Sequence, residues 1–203
     1  MQKNMIFIDT ETSGLVAGCH TILQLAWIVE IDGKIAIERC FDVQPDLDDD
    51  MTLGALKVNC FTLERMLCAF RRTAVLEKLY GDLMTYASMN PIIPCGHNVR
   101  FDLDMLYALA KKGNETWWIN YGLKAPLRIC RPVCTLALCH YLDYKGHLNL
   151  SDYKLATVCK EFDIELSDAH DALADVRAVR QVFHKLDELI EEETDSERIT
   201  FKP

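Results

Sequence analysis

Asp9 and Glu11 stand two residues apart where a short apolar run, Met5 to Ile8, gives out. Residues i and i+2 of a strand face the same side, so this spacing presents two carboxylates together. A third carboxylate, Asp102, closes the segment Gly96-His-Asn-Val-Arg-Phe-Asp102, which follows another short apolar stretch and opens a helical pattern. Asp104 comes two residues later and reads as an acid complementing the helix dipole. A further segment, His170-Asp-Ala-Leu-Ala-Asp175, supplies an imidazole and a fourth carboxylate. Five helical residues turn through about 140° net, so His170 and Asp175 do not share one narrow stripe but can flank one site. Asp171 reads as a cap or a solvated acid. Each segment alone has an ordinary explanation: a polar strand end, a helix N-terminal acid, a capping histidine. Brought together, four carboxylates would repel one another unless cations neutralised them. Such oxygen donors suit Mg²⁺ or Mn²⁺ rather than zinc. Two such ions about 3.5–4 Å apart are a device for in-line attack at phosphorus.

Recognisable elements must position these groups. Residues 3–9 read as a buried strand that ends in a turn over 10–14. Residues 21–31 read as a second strand and 34–43 as a third, joined by the hairpin signal Asp32-Gly33. These three form an antiparallel meander, and 44–53 is a polar, acidic loop. A helical pattern in two pieces covers about 61–89, with Leu76, Leu79, Leu83 and Tyr86 as its stripe. A short strand is expected over 91–95, a helix over 101–111 and irregular structure over 114–126. A short strand over 128–130 leads into a helix with Pro132 in its first turn, running to about 141. Helices over 150–162 and 170–190 complete the pattern, and the last dozen residues read as a frayed tail. A meander followed by alternating helices and strands implies an α/β domain with a mixed sheet and helices on both faces. Ligands of such sheets collect at strand ends.

The 203 residues, half of them hydrophobic, suffice for one domain with a sizeable core and exclude wholesale disorder. No apolar run approaches the ~20 residues of a membrane span or the h-region of a secretory signal. A cytoplasmic setting and no membrane partner are therefore expected. The nine scattered cysteines are expected to be reduced, mostly in the core. Cys130, Cys134, Cys139 and His140 lack zinc-site spacing. The net charge is −9, with 22 basic and 31 acidic residues. Eleven of those acids fall in 46–50 and 187–197, stretches without Lys or Arg; removing them leaves 22 basic against 20 acidic residues, about +2. The acidic total thus does not exclude a phosphate-bearing substrate. Trp117-Trp118 with Tyr121 could anchor a loop or stack on bases. Arg71-Arg72, Lys111-Lys112 and Arg100 could be solvated or touch phosphates.

The three chemistry-bearing segments, in their order and separation, resemble the motifs of the DEDDh exonucleases, the DnaQ-like proofreading-subunit family. Asp9-Thr-Glu-Thr-Ser-Gly14 is similar to the first motif, Gly96-His-Asn98 with Phe101-Asp102 to the second, and His170-Asp-Ala-x-Ala-Asp175 to the third. The resemblance covers residues 5–186. It implies a ribonuclease H-like fold, two divalent metals (Mg²⁺ or Mn²⁺) and 3′–5′ release of nucleoside 5′-monophosphates from single-stranded or frayed DNA or RNA ends. It implies that Asp9, Glu11, Asp102 and Asp175 carry the metals and that His170 is the general base, a role suited to an imidazole. Thr12 and Leu15 would lie near the terminal nucleotide, through backbone and apolar contact, Asn98 would fall beside the substrate strand, and Phe101 and His170 would also bind substrate. The chain departs from the family at Cys134-Thr-Leu136, where many members have Asp-Thr-Leu; that position is not a metal ligand. Residues 1–190 form the expected exonuclease domain and 191–203 an acidic, polar tail. A polymerase-associated proofreading subunit and an RNA-trimming exoribonuclease stay open within this class. A non-catalytic nucleic-acid-binding module is the alternative from another class, and the intact acid and histidine set counts against it.

Overall fold

The computed structural model describes residues 4–86, 92–114, 119–120, 127–128, 131–166 and 170–200. Trp117, Trp118, Tyr121 and Cys130 lie outside the described residues. β1 (Met5–Thr12), β2 (Ile22–Ile31) and β3 (Lys34–Gln44) form the expected meander. Its hairpin turns on Asp32 and Gly33, at φ of 50° and 76°, the left-handed pair that a two-residue turn requires. Two short helices follow, α1 (Leu53–Val58) and α2 (Leu63–Cys68), each capped by a threonine, Thr52 and Thr62. α1 lies between the expected loop over 44–53 and the helical pattern from about 61, where no element was expected, because it buries no side chain and so leaves no apolar stripe to read. A two-residue strand, β4 (Phe70–Arg71), separates α2 from α3 (Arg72–Tyr86). The chain then forms β5 (Ile93–Gly96), α4 (Val99–Lys112), the small pair β6 (Ile119–Asn120) and β7 (Leu127–Arg128), β8 (Val133–Cys134), α5 (Thr135–Tyr144), α6 (Leu155–Glu161) and α7 (Ala172–Thr200).

Pro132 does not open a helix: the chain pairs as β8 first, and α5 begins at Thr135. α6 is shorter than the apolar pattern over 150–162 suggested, and α7 runs ten residues past the expected end at 190. Its added turns carry acids, which helices tolerate and which leave no apolar periodicity to detect.

The main sheet has the order β4-β3-β2-β1-β5-β8, with β1 and β2 antiparallel and β1, β5 and β8 parallel. Strand alternation divides the core. Ile6, Ile8, Leu25, Trp27 and Val29 pack with Leu76, Leu79 and Leu83 of α3 and Leu103 and Leu106 of α4. Met5, Phe7, Ala26 and Ile28 turn the other way, onto Ala172, Val176 and Val179 of α7. Helices thus cover both faces. Polar pairs also fix α7 along the sheet: Arg177 meets Glu38, and buried Glu30 accepts from Arg180 at 2.6 Å and lies 2.9 Å from His184 Nε2.

The acidic loop is tied down rather than free. Arg72 pairs with Asp46, and Lys112 with Asp49, whose side chain is 1% exposed. Arg100 pairs with Asp104 at 3.0 Å, four residues along α4. Asp104 therefore serves an i,i+4 ion pair rather than the helix dipole. Arg72, Lys112 and Arg100 are engaged with acids of the chain itself. No described helix is long and apolar enough to cross a membrane. The eight described cysteines are all free; Cys95, Cys139 and Cys159 are buried, whereas Cys19, Cys60 and Cys68 are exposed and not core thiols.

Candidate active site

β1 is bordered by β5 only from Met5 to Phe7. Past that point its edge is open, at the carboxyl ends of two parallel strands. β1 continues as strand through Thr12 rather than turning at Thr10, so Asp9 and Glu11 keep their shared face. That face is the α7 side. Thr10 points to the α4 side, where its hydroxyl donates to Asp102 Oδ1 at 2.7 Å. Asp102 is 4% exposed, in the first turn of α4. Acids from the two faces thus converge around one open strand edge.

Gly96 permits this convergence. A Cβ there would lie 2.9 Å from the Ile8 carbonyl oxygen and 3.0 Å from Val99 Cβ. The first obstacle is backbone and cannot swing away. Gly96→Ala should therefore destabilise the fold by about 1–3 kcal/mol through overpacking. Urea titration checks this; a midpoint at or above the wild-type value would refute the close approach. Gly14 is similarly confined, against the ring of His20.

On the α7 side, His170 sits in a turn just before the helix, exposed and left-handed at φ 73°. It is not a helical residue, so the 140° wheel argument does not govern it. Ligand atoms of Glu11, His170 and Asp175 lie within 4.8 Å of one another. Asp9 stands outside this trio but within electrostatic reach of Asp102, Asp175 and Glu11. Asp171 caps α7, accepting from the Leu173 and Ala174 amides at 3.0 and 3.1 Å. Of the expected nucleotide contacts, Leu15 is 82% exposed on the loop after β1. Asn98 is exposed and left-handed before α4, and Phe101 is half-buried. Thr12 is buried, its hydroxyl donating to the Gly14 carbonyl at 2.8 Å and its own carbonyl accepting from Asn59.

Burial, then mutual repulsion, perturbs the acids. Burial raises Asp9 well above the ordinary carboxylate range, with Asp102, Asp175 and Glu11 adding to it. Burial lifts Glu11 to about 7, reinforced by Asp175 and Asp102. It lifts Asp102 to about 7, against the Thr10 hydrogen bond that favours ionisation. Burial also takes Asp175 to about 6, while its contacts to His170 oppose the shift. Asp175 Oδ1 is buried with no hydrogen-bond partner among the described residues. An orphaned, buried carboxylate oxygen among hard donors is what a divalent cation satisfies.

These shifts fix a pH dependence for the metal-free protein. Each acid binds its proton more tightly folded than unfolded, so stability falls as pH rises from the unfolded carboxylate range near 4 to about 7. The melting temperature in EDTA should fall between pH 5 and 8, and excess Mn²⁺ should raise it more at pH 8 than at pH 5. A Mn²⁺ increment that is no larger at pH 8 would rule out a cation-binding acid cluster.

Three residues that supply this geometry were not singled out from the sequence, although two of them, Thr10 and His97, lie within quoted motifs. Thr10 is one. His97 is another: its Nδ1 lies 3.0 Å from Thr135 Oγ1 and its Nε2 2.8 Å from the Tyr153 carbonyl oxygen, joining the end of β5 to α5 and the loop before α6. Gln24, opposite Glu11 on β2, is the third.

The chain matches the RNase T exonuclease family over residues 6–183. It is 26% identical over 189 residues to the PolC-type DNA polymerase III of Halalkalibacterium halodurans, covering 92% of this chain and 11% of that protein. The chain thus spans about a tenth of the length of the curated relatives it matches. In fold it is similar to Escherichia coli exonuclease I, in a zinc-bound complex with single-stranded DNA, with a TM-score of 0.75 and 21% identity. That likeness covers 98% of this chain and 43% of the other. It is also similar to cell-death related nuclease 4, with a TM-score of 0.72, 15% identity and coverage of 92% and 64%. The extent of the family match, the ribonuclease H-like sheet and a histidine in the third motif together establish that the chain belongs to the exonuclease family, in its DnaQ-like, DEDDh branch.

Proposed function

We propose that the protein is a divalent-metal-dependent 3′–5′ exonuclease that releases nucleoside 5′-monophosphates from single-stranded or frayed DNA or RNA. The observation that carries this reading is the convergence of Glu11, His170 and Asp175 beside Asp9 and Asp102, with Asp175 Oδ1 buried and unpartnered among the described residues. Asp9, Glu11, Asp102 and Asp175 fit as holders of two Mg²⁺ or Mn²⁺. Such ions, when bound, make a hydroxide available near neutral pH and offset charge on a leaving 3′ oxygen. His170, exposed at the rim, takes the proton of the attacking water. Leu15 offers an apolar surface to the terminal base. Thr12 contacts the terminal nucleotide through its main chain, and Asn98 and Phe101 stand beside the strand. Residues 1–190 form the catalytic unit and 191–203 an acidic extension. Free thiols fit a reducing, cytoplasmic setting. The polymerase context of the relatives supports a second reading, proofreading beside a polymerase.

The test is a gel assay with 5′-labelled single-stranded DNA and RNA of one sequence. A ladder shortening from the 3′ end with Mg²⁺, absent with EDTA, is expected, and the faster polymer names the preferred substrate. Intact label at high enzyme with either Mg²⁺ or Mn²⁺ would overturn the reading in favour of a binding module.

A further inference from the structure

Gln24 is 4% exposed on the α7 face of β2, in register with Glu11 on one side and Asp42 on the other. Its Oε1 accepts from the amide of Ala172, the first residue of α7, at 2.8 Å. Its Nε2 donates to Asp42 Oδ1 at 3.0 Å. Asp42 in turn accepts both arms of Arg65, at 2.7 and 2.8 Å, and the Arg65 guanidinium lies 3.9 Å above the Phe61 ring. The amide group therefore has both ends engaged, and its acceptor end is aimed by a charged pair on β3 and α2, outside α7.

The consequence lies at the start of α7. The first amides of a helix have no intrahelical partner. Here Asp171 takes those of Leu173 and Ala174, but Asp171 belongs to the same local segment and cannot register the helix against the sheet. Gln24 takes that of Ala172, and it belongs to the strand row that carries Glu11. Ala172 lies between His170 and Asp175, the two groups that must meet Glu11. We infer that Gln24 is a positioning residue that sets the start of α7, and with it His170 and Asp175, against Glu11. The Asp42–Arg65 pair holds Gln24 in its orientation. This inference rests on the metal-dependent reading of the site.

Gln24→Met keeps the volume and removes both hydrogen bonds. A second variant, Asp42→Ala, leaves Gln24 and its bond to Ala172 in place but removes the carboxylate that aims the amide. Loss of a group that orients metal ligands typically weakens metal affinity or activity by about 10–100-fold. Folded Gln24→Met should therefore bind Mn²⁺ about 10–100-fold more weakly by titration calorimetry. Its kcat should fall by a comparable factor, with the oligonucleotide KM nearly unchanged. Asp42→Ala should weaken Mn²⁺ binding too, by a smaller factor, because Gln24 keeps its bond to Ala172 but loses the group that holds it. Folded Gln24→Met with wild-type Mn²⁺ affinity and kcat would overturn the inference. If Gln24→Met does not fold, a folded Asp42→Ala protein with wild-type Mn²⁺ affinity and kcat would overturn it as well. Wild-type protein that cleaves neither polymer, while Gln24→Met still weakens Mn²⁺ binding, would sustain the inference and overturn the exonuclease reading.

Discussion

Asp9→Ala protein is expected to retain less than about a thousandth of the wild-type turnover. The metal's contribution to transition-state stabilisation is several kcal/mol, and each 1.36 kcal/mol is a factor of ten in rate. Asp9 is the acid most pressed by its neighbours, with Asp102, Asp175 and Glu11 all raising it beyond what burial does. The same crowding predicts the opposite sign for stability. Asp9→Asn removes a repelling charge at constant shape, so the metal-free variant should melt above the wild type at pH 8 while remaining inactive. The two measurements belong together, since sites that hold charge for function are held at a cost to the fold. Single-turnover assays with Mg²⁺ and melting scans in EDTA check them. Wild-type rates in Asp9→Ala would show that the site has been assigned to the wrong residues.

His170→Ala should slow the chemistry by about 10²–10⁴-fold, the usual contribution of a positioned general base. Its effect should differ in kind from that of Asp9→Ala. The carboxylates would remain, so Mn²⁺ affinity should change little while kcat collapses. The imidazole also lies within 4.8 Å of the Glu11 and Asp175 oxygens. A direct ligand at that distance would give the contrary result, a large loss of Mn²⁺ affinity alongside the loss of rate. Calorimetric titration of Mn²⁺ into both variants separates the two roles.

The meander was legible because its signals are local. Alternation buries Ile6 and Ile8 on one face and Met5 and Phe7 on the other, and Asp32-Gly33 can adopt the left-handed turn that joins β2 to β3. The chemical groups were legible for a related reason. Asp9 and Glu11 share a face because a strand repeats every two residues, and Asp102 opens a helix that follows a strand. α1 left no trace because it buries none of its side chains, and the acidic end of α7 carries no apolar stripe in its sequence. The same limit concealed the partners of Lys112, which finds Asp49 across 63 positions of chain.

What the sequence by itself determined is which acids and which histidine stand in the three motifs, and that Asp9 and Glu11 share one face of their strand. Only the tertiary structure decided how those groups meet. Because β5 pairs with β1 no further than Phe7, the strand edge beside Asp9 is open, and Asp102 reaches it from the opposite side of the sheet. His170 escapes helical spacing by taking a left-handed turn before α7. Gln24 acquires its partner, Ala172, from 148 residues away. The physical reason is one of range. Periodicity and turn preference are properties of neighbouring residues, whereas the order of strands in a sheet is set by burial over the whole chain, and this site lies where that order leaves an edge uncovered.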